Sequence, residues 1–200
     1  MSESRPRPVR PRHAASLIAV RDGHSVLMGL RGARHRFMPN RLVFPGGAVD
    51  RGDARAPAAA EPPPETLAAL RRAASPALAR AICIAAAREL DEETGLTLGT
   101  PPGLGALDYL CRAVTPPDSP VRFNARFLVV DAVHLRGALA GSGELEDLRW
   151  FAVEDALALD LALVTREVLL TLQGWLALTA EARRARTTAP VFRLRRWREE

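Results

Sequence analysis

Residues 75–95 constrain this chain more than any other stretch. Ser75-Pro76 sets a side chain able to accept the free amide hydrogens of a helix start just before a proline already shaped for the first helical position. Gly95 supplies the left-handed conformation with which helices commonly end. Between them Ala79, Cys83, Ala86 and Leu90 form one apolar stripe at helical spacing. The pattern predicts a helix over residues 75–93 that must bury one face. Its last turns run Arg88-Glu89-Leu90-Asp91-Glu92-Glu93-Thr94-Gly95-Leu96. At about 100° per residue, Glu92 lies ~60° to one side of Glu89 and Glu93 ~40° to the other, so three carboxylates share a sector. Like charges one turn apart weaken a helix by roughly a few tenths of a kcal/mol, and the helix dipole disfavours negative charge at this end. Local stability argues against the arrangement, and a bound cation resolves it. Hard divalent ions such as Mg²⁺ take oxygen ligands, commonly a few carboxylates plus substrate phosphate oxygens. A solvated acidic face is the competing reading of the same residues.

The flanking sequence alternates strands and turns. Residues 16–20 and 25–30 flank Asp22-Gly23 and read as a strand pair. After an arginine-rich connection, residues 42–44 form a short apolar strand stopped by Pro45-Gly46-Gly47, where consecutive glycines permit close backbone approach to a ligand or metal. Further strands are expected at residues 105–114, 123–133 and 148–151, a short helix at 154–159 and an amphipathic one at 165–178. The Ala/Pro/Arg stretch 50–74 reads as a loop or disordered insertion holding a short helix over 65–74; its small side chains predict that residues 54–74 project from the domain and are mobile. Strands on both sides of a central helix, with helices near the end, predict an α/β fold: a mixed sheet packed against helices. The organisation expected is a disordered basic arm over 1–12, one domain over 13–180 and a basic extension over 181–200.

Composition excludes several classes. Two hundred residues, 48% of them hydrophobic, suit one globular domain. No run approaches the roughly 18 apolar residues of a membrane span, and the apolar run 14–20 lacks a signal-peptide cleavage site. Cys83 and Cys111 sit in apolar segments without a nearby histidine pair, so no zinc site is expected and a reducing, cytoplasmic setting is. His13, His24, His35 and His134 show no metal-ligand spacing. The net charge of +5, carried by arginines with no lysine, favours acidic ligands in a general way. The arginine-rich tail has little aromatic interleaving, so no nucleic-acid partner is expected.

The segment Arg88–Leu96 resembles the Nudix signature, G-x5-E-x7-R-E-U-x-E-E-x-G-U with U a bulky aliphatic. Gly47 fits its first position; Arg88, Glu89, Leu90, Glu92, Glu93, Gly95 and Leu96 match its last part completely. Two departures stand out: the glutamate six residues after Gly47 is Asp53, and 34 residues rather than seven separate Asp53 from Arg88. Such an insertion is tolerable because loop-closure cost grows only logarithmically. Either Asp53 or Asp50 is the candidate to replace the missing glutamate. The stretch from Arg36 to Asp50, with Thr115-Pro116-Pro117 and the run from Arg122 to Phe127, further resembles an insertion-bearing subgroup that includes peroxisomal coenzyme A diphosphatases.

The resemblance implies a Nudix α/β/α sandwich with a central mixed sheet, and hydrolysis of a diphosphate bond by water. Glu89, Glu92, Glu93 and the Gly46 carbonyl would bind Mg²⁺ or Mn²⁺, and Arg88 would orient a glutamate. In the catalytic set, with Glu89, Glu92 and Arg88, Glu144 is the candidate base and Glu146 the alternative. The substrate implied is a nucleotide-like small molecule, coenzyme A or an acyl-coenzyme A, with Arg36 and Arg41 as candidate phosphate contacts; a homodimer is the implied assembly. The alternatives are an ADP-ribose or dinucleotide pyrophosphatase, and a catalytically silent ligand-binding Nudix module. Trp150 and Phe151 are read as core.

Overall fold

A computed structural model describes residues 9–32 and 40–200. In chain order the strands and helices are β1 Arg12–Arg21, β2 Ser25–Arg31, β3 Leu42–Val43, β4 Gly46–Ala48, α1 Pro64–Leu70, α2 Pro76–Thr94, β5 Leu96–Thr97, β6 Asp108–Val114, β7 Phe123–Asp131, β8 Arg136–Gly137, β9 Leu145–Ala152, α3 Val153–Ala158, α4 Leu163–Leu176, α5 Ala180–Arg184, β10 Pro190–Arg193 and β11 Arg196–Glu199. The main sheet runs β11-β10-β6-β7-β1-β2-β3, with β4 also paired to β1 and β9 to β2. It is mixed: β1–β7 and β10–β6 are parallel, the remaining pairs antiparallel. β5 and β8 pair separately.

The strand period of two divides the core. Along β1, Ala15, Leu17 and Ala19 face a cluster built with Ile82, Cys83, Ala86 and Leu90 of α2. Ile18 and Val20 face the other way, with Val168, Leu169, Leu172 and Trp175 of α4. Helices thus cover both faces, the mixed-sheet α/β/α sandwich expected. Helix α2 begins and ends as its caps dictate: the Ser75 hydroxyl accepts from the Leu78 amide, and Gly95 closes the helix at φ 71°.

Residues 54–74 do not project. Their few anchors replace the large side chains they lack. Leu70 is buried in the α2-side cluster. The Thr66 hydroxyl, also buried, donates to the Leu107 carbonyl at 2.7 Å. The Ala59 amide bonds to the Pro102 carbonyl, and the Leu104 amide to the Ala60 carbonyl, each at 2.9 Å. Arg80 on α2 donates to both Glu61 oxygens and to the Ala56 carbonyl. Backbone pairing and an arginine staple do what bulk would otherwise do.

The tail differs likewise from a solvated extension. β10 and β11 extend the main sheet, with Val191 and Phe192 buried. Phe192 packs on Trp197 with ring centres 5.1 Å apart, the Trp197 indole donates to Glu167 at 2.7 Å, and Arg112 pairs with Glu200. At the N-terminal end, Arg12 is already the first residue of β1 and its amide bonds to the Arg122 carbonyl.

Candidate active site

The last turns of α2 lie against the Gly46-Gly47 turn, and glycine is required at both positions. A Cβ on Gly47 would sit 2.4 Å from the Glu89 carboxylate. At Gly46, with φ 156°, it would strike Ser16 and the Ala15 carbonyl of β1. The Gly46 amide donates to Glu93 at 2.7 Å. Helix and turn are therefore in direct contact through two of the three glutamates.

Arg88 organises the neighbourhood. One terminal nitrogen donates to Glu89 at 2.8 Å and Glu92 at 3.0 Å. The other donates to the Ala48 carbonyl at 3.1 Å and, with Nε, makes a two-pronged bond to Asp53. Paired forks of this kind are among the stronger protein ion pairs. Asp53 is buried and its carboxylate also accepts the Asp50 amide at 2.7 Å. Asp50 is exposed, 3.9 Å from the same guanidinium. Geometry therefore gives Asp53, not Asp50, the place opposite Arg88. A shorter acid reaches because the turn at residues 50–53 folds back on itself. Burial pulls the Arg88 pKa down, but its bonds to Asp53 and Glu89 outweigh that and raise it.

The three glutamates occupy different surroundings. Glu92 is largely exposed. Burial raises Glu89 above the usual carboxylate range, against the pull of Arg88, and Glu92 and Glu144 add to the rise. Glu93 is pushed up to about 8, first by burial and then by the negative charge of Glu144 and Glu89, with the Gly46 amide opposing. Glu144, in the loop before β9, thus belongs to the same acidic group, and it pairs with Arg31 at 3.4 Å. Glu146 is exposed on β9 and does not line the cleft described below.

Among the described residues no group of three acidic, histidine or cysteine side chains already converges as a metal cage. The glutamates lean instead on Arg88 and the Gly46 amide. Their chemistry nonetheless fits a hard divalent cation: the donors are carboxylate oxygens, and mutual repulsion plus burial leaves negative charge poorly compensated. Glu89, Glu92 and Glu93 are the residues that would hold it, which requires them to turn away from their present partners. When bound, such an ion neutralises phosphate charge and acidifies water.

A cleft of about 830 Å³ opens from this acidic group across the sheet. Glu89, Glu92, Glu144 and the two glycines line one end, and Phe44, Phe123 and Phe127 line its apolar part. Phe44 and Phe127 meet edge to face at 6.3 Å. Arg12, Arg31 and Arg195 also line it. Sequence reasoning missed Arg12 and Arg195. The alternation Arg12, Ala14, Ser16 on one face of β1 was the available signal for the first. Arg41 is not brought to the cleft: it bonds to the Asp160 carboxylate and carbonyl. Arg36 lies outside the described residues. Trp150 and Phe151 pack into the core, as expected.

This sheet, its helices and the acidic end of α2 against a Gly-Gly turn define the Nudix fold. A crystal structure of a NUDIX hydrolase from Alicyclobacillus acidocaldarius superposes with TM-score 0.65 at 26% identity, covering 89% of this chain and 97% of that one. A MutT NUDIX hydrolase from Burkholderia pseudomallei gives 0.55 at 23% identity, covering 82% and 98%. Residues 82–172 match the NUDIX domain family model, beginning inside α2 and so beyond the long connection that splits the signature. A curated Caenorhabditis elegans protein named "Putative nudix hydrolase 7" is 40% identical over 86 residues, 42% of this chain and 22% of that protein; the chain thus matches under a quarter of that relative's length. Residues 82–172 thus carry a match to the NUDIX domain, and the fold is that of solved NUDIX hydrolases.

Proposed function

We propose that this chain hydrolyses the diphosphate bond of a nucleotide-like small molecule with the help of Mg²⁺ or Mn²⁺. The observation that carries the reading is the meeting of Glu89 and Glu93 with the Gly46-Gly47 turn, one turn of helix from Glu92, at the end of a cleft large enough for a nucleotide. Glu89, Glu92 and Glu93, with the Gly46 carbonyl, would hold the cation; Arg88, tied to Asp53 and Ala48, keeps Glu89 and Glu92 beside the turn, and they would rotate from it onto the ion. Water attacks one phosphorus, the bond from that phosphorus to the bridging oxygen breaks, and the second phosphate leaves. Glu144 accepts the proton of the attacking water. Such chemistry consists mainly of positioning and charge stabilisation, so carboxylates and glycines suffice for it. Retention of a destabilising acidic cluster speaks against a silent binding module, which has no need of it.

Coenzyme A or an acyl-coenzyme A is the substrate within this class, on the resemblance of residues 36–50, 115–117 and 122–127 to the insertion-bearing subgroup. The test is release of phosphorylated product with Mg²⁺ from coenzyme A, ADP-ribose and a dinucleoside polyphosphate under one set of conditions. Preference for coenzyme A supports the finer reading. Preference for ADP-ribose or the dinucleotide replaces it, and turnover of none removes the hydrolase reading.

A further inference from the structure

The cleft does not end at the acidic group. Strands β4, β1, β7, β6 and β10 lie side by side, and one register row joins Ala48, Ala14, Ala125, Ala113 and Phe192 across them. With strands about 4.8 Å apart, four spacings put β10 about 19 Å from β4 along the sheet. At that far end the cleft wall is the β10–β11 hairpin, outside the residues matched by the family model. The hairpin is anchored: Phe192 is buried, Trp197 stacks on it, and the Trp197 indole is held by Glu167 of α4. Its two-residue turn places Leu194 and Arg195 in left-handed backbone, φ 53° and 60°. That geometry matches the twist of paired strands, so Arg195 is presented on a fixed support rather than a loose tail.

Arg12 stands on the same cleft. It lies four residues before Ser16, which pairs with Gly46, so it sits ~13 Å along β1 from the glycine turn. Among the described residues neither Arg12 nor Arg195 has an acidic partner. By contrast, Arg31 is matched to Glu144 and Arg41 to Asp160. Two guanidiniums with no acidic partner among the described residues therefore line the same cleft as the acidic end, one along β1 and one across the sheet from the glycine turn.

We infer that Arg195, with Arg12, forms a second anion subsite, so that this chain selects extended diphosphates carrying another phosphate far from the bond that is cleaved. Guanidinium forks suit phosphate oxygens, and a molecule spanning both ends must be longer than a bare diphosphate. The inference rests on the hydrolase reading for the acidic end, but its test is separable from that reading. Two matched pairs are compared on the full chain with Mg²⁺: coenzyme A with its 3′-dephospho form, and NADP⁺ with NAD⁺. Turnover is measured as kcat and KM; binding is measured by calorimetry in the Glu92→Gln background, where no turnover is needed. Wild type should prefer the phosphate-bearing member of at least one pair by about tenfold or more. In Arg195→Ala that preference should fall to near unity through KM, Arg12→Ala should reduce it, and Arg195→Lys should keep part of it. No preference in wild type for either pair, or a preference untouched in Arg195→Ala, overturns the inference. A preference seen in binding and lost in Arg195→Ala, with no turnover of any compound, keeps the subsite and removes the hydrolase reading instead.

Discussion

Glu89, Glu92 and Glu93 are separated by at most one helical turn, yet the fold gives each a different environment, and the consequences can be measured one residue at a time. Glu92 is exposed and, among the described residues, bound by Arg88 alone, so the core does not depend on it. Glu92→Gln should lower kcat at least about 100-fold with Mg²⁺ saturating, while circular dichroism and the melting temperature stay within a few degrees of wild type. Near-wild-type turnover would remove it from the cation site. Glu93 is buried, and its pKa in the fold, about 8, lies above the ordinary 4.5. A group raised on folding contributes stability fully below its unfolded pKa and loses it as pH rises through the folded one. The metal-free protein should therefore lose stability between about pH 4.5 and 8, and Glu93→Gln should flatten that slope in denaturant titrations; an unchanged slope would place the charge elsewhere.

The elements divide between those that announce themselves in sequence and those that do not. Helix α2 was legible because both caps are written in residue types with one dominant use: Ser-Pro at the start, Gly at the end. The strands beside it followed from alternation and turn residues. The C-terminal hairpin was not legible, because its turn, Leu194-Arg195, adopts the left-handed conformation without Gly or Asn, and its apolar signal is confined to Val191, Phe192 and Trp197 among arginines. Residues 54–74 were misjudged for a related reason. Composition reports side-chain bulk, whereas this segment is held by backbone hydrogen bonds and by Arg80, which sits on a different element. Two changes test that packing. Leu70→Ala should destabilise by about 2–5 kcal/mol, and replacing residues 54–74 with a short Gly/Ser linker should lower the melting temperature markedly. A linker variant as stable as wild type would show that these contacts contribute little.

At the scale of the molecule, the sheet collects pieces far apart in the chain onto one surface: Arg12 from the first strand, the glycines of β4, Glu89 and Glu92 of α2, Glu144 before β9 and Arg195 near the end. The acidic cluster could be read from sequence because Arg88, Glu89, Glu92 and Glu93 are neighbours along one helix. The cleft could not, because its walls depend on strand order and register, which spacing does not reveal. The same limit applied to Asp53, whose pairing with Arg88 spans the whole connection between them. No described helix is long and apolar enough to cross a membrane. The central claim is attack of water on phosphorus in a diphosphate, and hydrolysis in ¹⁸O-labelled water with mass analysis of the products tests it most directly. Attack of water on phosphorus gives Mg²⁺-dependent cleavage with one ¹⁸O in the phosphate group of one product and none in the other. Label in a non-phosphate oxygen, or no cleavage of any diphosphate tried, would contradict it.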